Sequence, residues 1–205
     1  DEVKAQFEEA FDGVSASEIS EAEGALISEG LPVEEIQKLC DVHASVFKGS
    51  IEEIHQSTDP SVIPGHPLNI LKLENREIER IIKDKIRNKL NLINSEEGIN
   101  EICSGIENLG KIGIHYKKKE NLLFPYMEKY GITAPPKVMW GVDDEIRAAI
   151  KEVKELFEGK NSDTKNTVTK LEEVLTKVEE MIFKEENIMI PMLMEKLTQD
   201  EWKII

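Results

Sequence analysis

The chain has 205 residues, of which 40% are hydrophobic, 5% aromatic and 33% charged, and its formal net charge is −15. That is enough apolar material for one large or two small domains with an aliphatic core. The acidic excess excludes nonspecific attraction to nucleic acid or an anionic membrane, and no Lys/Arg cluster with interleaved aromatics offsets it.

Two cysteines, Cys40 and Cys103, lie far apart and in no paired motif, so a disulfide framework is not expected and a reducing, cytoplasmic setting is. There is no signal-peptide pattern and no apolar run long enough to span a membrane. Abundant Glu, Lys and Ile with little Gln fits a thermophile's composition.

Residues 1–56 read as short helices forming an N-terminal helical domain. Val3, Phe7 and Phe11 make one stripe. Ser15-Ala16-Ser17-Glu18 has the capping-box pattern and opens a helix carrying Ile19, Ala22, Leu26 and Ile27. Gly30-Leu31-Pro32 ends it, with Pro32 suited to the first turn of the next helix. There Ile36, Cys40, His43 and Phe47 form a stripe at helical spacing. Cys40 and His43 are spaced like two metal ligands, but both belong to that apolar stripe and no second pair exists, so they read as packed core. Residues 57–66 are rich in proline and glycine and read as a linker.

From 67 to 205 the pattern predicts four long helices, over about 67–92, 95–130, 137–157 and 164–197. Asn94-Ser95-Glu96-Glu97 caps the second, and Thr133-Ala134-Pro135-Pro136 breaks the chain before the third. A last capping box, Thr198-Gln199-Asp200-Glu201, opens a short turn with Trp202. No segment alternates as a strand should. The fold class is all-α: an up-down four-helix bundle behind a small N-terminal helical domain.

The inward stripes of these helices carry polar residues. In the fourth helix Leu171, Val174, Val178, Met181, Glu185, Ile188 and Met192 step by three and four, and one member is a carboxylate. The third gives Met139, Asp143, Ile146, Ile150, Val153 and Phe157, and the first gives Leu71, Asn75, Ile78 and Ile82. The second is ambiguous between Ile112-His115-Lys119-Leu122-Tyr126 and Leu109-Ile112-Tyr116-Glu120-Leu123-Met127. Glu-Asn, three apolar residues and Pro recur 66 residues apart, at Glu120–Pro125 and Glu186–Pro191. Several unpaired buried charges are untenable without compensation, which a bound cation supplies. Histidine with carboxylates suits iron, zinc or manganese.

Residues 66–197 resemble the hemerythrin-like family of HHE cation-binding bundles. The resemblance rests on Leu73–Ile78, His115–Pro125, Asp143–Ile146 and Glu185–Pro191. The region Gly30–His43 is similar to an uncharacterised helical domain that precedes such bundles in microbial proteins, often with a PAS sensor domain. The family implies a non-haem di-iron site with one His from the first helix, His-xxx-Glu from the second, His from the third and His-xxx-Glu from the fourth. At the matching positions this chain has Asn75, His115 with Lys119, Asp143, and Met181 with Glu185.

Two readings follow. In the first, a sensor or regulatory module binds one divalent transition metal (iron, zinc or manganese) through His115, Asp143 and Glu185, with Glu120 or His66 recruited. Glu120 lies five residues beyond His115, about 140° around an ideal helix, so it requires a distortion that Pro125 would supply. In the second, no metal is bound, and Lys119 pairs with buried Asp143 and Glu185 in a structural or interaction module. The residues show no nucleophile–base–acid set and no phosphate loop, which points away from an enzyme. The partner left open is a protein or a second copy of the chain.

Overall fold

The computed structural model describes residues 16–32, 35, 60–159 and 164–205. The stripes Val3–Phe11 and Ile36–Phe47, including Cys40 and His43, and the linker before Pro60 lie outside them. Among the described residues every regular element is helical, and four long helices follow one another as the periodicity predicts. Successive helices pack side by side, and an N-terminal helix, Ala16–Ser28, lies against the third and the end of the fourth. No described helix is long and apolar enough to cross a membrane.

The first bundle helix is α-helical over Pro67–Arg80, widens to a π-helix over Ile81–Ile86 and tightens to 3-10 over Arg87–Leu92. Pro67 sits in the first turn, where a missing N–H costs nothing. The second helix runs over Glu96–Leu109, breaks at Gly110 and Lys111, and resumes over Ile112–Lys118. It passes the irregular end of the first with the two backbones almost touching. A Cβ on Gly105 would stand 2.6 Å from the Lys85 carbonyl oxygen, and one on Gly98 would stand 2.0 Å from that of Leu92. Only glycine permits this approach. The third helix, Ala134–Glu158, starts earlier than the sequence suggested because Pro135 and Pro136 fit its first turn instead of ending the preceding loop.

The repeated Glu-Asn-xxx-Pro stretch has one local solution, used twice. Pro125 and Pro191 lack the N–H that would continue an α-helical ladder. In each case the turn before the proline widens, giving π-helices over Lys119–Leu123 and Glu185–Met189. Phe124 N–H donates to the Lys119 carbonyl, and Ile190 N–H to that of Glu185. The asparagine of each copy closes on the preceding turn: Asn121 Nδ2 donates to the Lys117 carbonyl at 2.6 Å, and Asn187 Nδ2 to that of Phe183 at 2.9 Å. Helices Phe124–Lys129 and Ile190–Lys196 continue beyond.

The core is aliphatic. Ile82, Ile102, Ile106, Ile146, Leu171 and Val178 are buried across all four helices, each contributing roughly 1.5–3 kcal/mol by leaving water. Both stripes predicted for the second helix are buried as far as the π turn: His115 and Lys119 as well as Tyr116 and Glu120. From the end of that turn Leu123, Phe124 and Met127 continue inward, and Leu122 is exposed.

Candidate functional site

The first residue of each widened turn points into the bundle, and the two meet. Lys119 Nζ lies 2.6 Å from Glu185 Oε1 and 2.9 Å from Asp143 Oδ1, and all three side chains have no exposed surface. The ammonium also stands 4.4 Å from the centre of the Tyr116 ring, whose negative face favours a cation. His115, one turn before Lys119, is engaged at both ring nitrogens: Nδ1 is 2.8 Å from Glu74 Oε2 and Nε2 is 3.1 Å from Glu185 Oε2. Glu74 in turn accepts from Lys118 at the surface. The three candidates His115, Asp143 and Glu185 are therefore brought together around Lys119.

The structure places the remaining candidates elsewhere. The distortion expected near Pro125 is present as a π turn, but Glu120 leaves His115's face and pairs with Arg147 of the third helix, Nη2 to Oε1 2.8 Å. His66 caps the first helix, its Nδ1 accepting from Leu68 N–H at 3.2 Å, and its ring packs on Trp202 at a centroid distance of 4.9 Å. It stands eight residues, or about 12 Å of helix, before Glu74. Asn75 is fully buried, with Nδ2 donating to Glu186 Oε1 at 3.1 Å, and Met181 is core filler. Glu74 was not singled out in the sequence, because it lies one residue off the apolar stripe of its helix.

Electrostatics divide the acids. Burial opposes the charge on Glu185, but Lys119 and His115 outweigh it and hold its carboxyl down to about 2. Asp143 is pushed up to about 7 by burial, which the Lys119 ammonium only partly offsets. Burial alone would lower His115, yet Glu185's charge and the bonds to Glu185 and Glu74 raise it to about 9. The cluster is thus an internal ion network in which Lys119 and His115 balance the two core carboxylates.

A divalent cation does not fit this arrangement. It would need donor atoms with free lone pairs at about 2.0–2.2 Å. Lys119 Nζ already occupies the space between Asp143 and Glu185. With carboxylate oxygens at both nitrogens, His115 is an imidazolium and has no lone pair to give. Among the described residues no group of three or more His, Cys, Asp or Glu side chains is arranged to hold a metal.

The raised His115 value fixes an alkaline dependence. The unfolded histidine titrates near 6.5 and the folded one near 9. Its stabilisation is complete below pH 6.5 and is lost as pH rises through 9, up to about 3 kcal/mol in size. The thermal midpoint should fall between pH 7 and 9.5, and the fall should be shallower in His115→Gln. An equally steep fall in that variant would remove His115 from the network.

Residues 66–193 match the Hemerythrin HHE cation binding domain, and residues 1–53 match a family of unknown function, DUF438. No curated protein matches the chain. The first match spans more than half of the sequence, and the chain belongs to the hemerythrin HHE cation-binding family.

Proposed function

We propose that this member of the hemerythrin HHE cation-binding family is a metal-independent structural or interaction module, in which the Lys119 ammonium takes the place of a bound cation. One observation carries the reading: Lys119 Nζ, without exposed surface, is within 2.6 and 2.9 Å of the two buried carboxylates that would otherwise need a metal. A tethered monovalent charge cannot exchange ligands, change oxidation state or bind a small molecule at an open position, so the site serves to hold four helices in register. The net charge of −15 favours a protein partner over nucleic acid or membrane.

The competing reading is a sensor holding one divalent metal at His115, Asp143 and Glu185. It has one observation in its favour: Asp143 Oδ2 is buried without a hydrogen-bond partner and retains acceptor capacity. Metal analysis separates the two. Protein expressed in medium supplemented with iron, zinc and manganese and purified without chelator should carry far less than one metal per chain. A stoichiometry near one that is lost in His115→Ala would establish the sensor reading instead.

A further inference from the structure

Outside the ion network, a cavity of about 350 Å³ lies between the first and second bundle helices. It forms where both helices depart from α geometry at the same level. The first becomes π-helical at Ile81, and the second breaks at Gly110 and Lys111. Such irregularities are frequent at functional positions, because they sacrifice regular packing.

The cavity runs along the first helix from Glu74 to Lys85, roughly 16 Å of helix length. About 350 Å³ spread over that distance is a furrow one chain wide. Its floor is apolar, built from Ile78, Ile81, Leu109 and Ile112, and Ile114 on its lip is 62% exposed.

The charges on the rim are not balanced. Both rim carboxylates are neutralised within the fold: Glu74 by His115 and Lys118, and Glu77 by Arg80 through bonds of 2.6 and 2.7 Å. Two rim lysines, one from each helix, flank the furrow: Lys85 lies within electrostatic reach of Glu77, which is bonded to Arg80, and Lys111 comes from the second helix. Among the described residues Lys111 reaches the Asn108 amide oxygen, at 2.9 Å, and no carboxylate. In a chain of net charge −15, this furrow has spare positive charge beside an apolar floor.

We propose that the furrow binds a medium-chain monocarboxylate, with its unbranched chain along Ile78, Ile81 and Ile112 and its carboxylate held at the rim by Lys85 and Lys111. The narrow width selects one acyl chain over a ring or a helix. The lysines select the anionic headgroup. The inner end of the furrow is the Glu74–His115 pair, so an occupied furrow touches the outer edge of the core network. Binding itself does not require Lys119 to replace a metal.

Octanoate is the probe, titrated into the full chain and followed by isoleucine methyl NMR and calorimetry. We expect one saturable site with shifts at Ile81, Ile112 and Ile114. Affinity should weaken roughly twofold for each methylene removed down to butanoate, about half the change expected for full burial. Octylamine should not saturate. Reversing both exposed lysines (Lys85→Glu with Lys111→Glu) should weaken octanoate at least tenfold, with an unchanged circular dichroism spectrum confirming the fold. No saturable shift, equal binding of octylamine, or undiminished binding by the reversed variant would each overturn the proposal. Metal content measured on the same sample keeps the two conclusions apart. Metal-loaded protein that binds octanoate overturns only the metal-independent reading, and metal-free protein that ignores octanoate overturns only this one.

Discussion

Replacing Lys119 with methionine should lower the free energy of unfolding by about 3–5 kcal/mol at pH 7, the penalty for leaving buried carboxylates without their cation. Methionine is chosen because it fills a similar elongated volume and is tolerated in irregular cores, so the loss reports charge more than cavity. The expected dependence on pH is specific. Asp143 is already poised near 7 and accepts a proton in the variant. Glu185 is held near 2 by Lys119 and His115, and it retains only the imidazolium. The variant should therefore recover stability between pH 8 and pH 6 more than the wild-type protein does. Neutralising the acids as well, in the triple variant Lys119→Met/Asp143→Asn/Glu185→Gln, should restore most of the loss. Lys118→Met, which breaks only the half-exposed pair with Glu74, should cost less than about 1 kcal/mol. Urea unfolding followed by circular dichroism measures all three, and a loss below 1 kcal/mol for Lys119→Met would show that the ammonium does not compensate the buried acids.

How far this network could be read from the sequence depends on whether each residue obeys helical periodicity. In the fourth helix, Glu185 interrupts a regular run from Leu171 to Met192, and a charged residue at such a position is visible because burial recurs locally every three or four residues. Asp143 was legible for the same reason, and so was the chance that Lys119 faces both. The second helix resisted a single answer because a π turn moves the inward face by one residue. His115 is inward before the turn, Lys119 at its first position, Leu123 at its last and Met127 beyond it, and no straight stripe joins them. The distortion near Pro125 was predictable from the missing N–H, yet its effect on Glu120 was not. Where that carboxylate lands depends on Arg147 of the third helix. Glu74 illustrates the remaining gap. Its partner His115 is 41 positions away on another helix, and their meeting depends on how two helices are rotated against each other, which local patterning does not encode.

If the ammonium stands where a cation would otherwise be held, removing it while leaving space should create a cation site. Lys119→Ser shortens the side chain without adding an acid and leaves His115, Asp143 and Glu185 facing the vacated volume. Without metal the variant should be about as unstable as Lys119→Met. Added zinc or manganese should raise its thermal midpoint, with about 2.7 kcal/mol recovered at a hundredfold excess over the dissociation constant. The wild-type midpoint should not respond. Before His115 can coordinate it must release the proton that now bonds a carboxylate, so affinity should strengthen from pH 6 to pH 8, opposite to the stability trend of the metal-free variant. Adding His115→Ala should abolish the response. A folded Lys119→Ser protein that takes up neither metal would mean that the three side chains converge on an ammonium but not on a coordination sphere. Lys119 would then be an ion-pair partner and nothing more, while the stability loss in Lys119→Met would still hold.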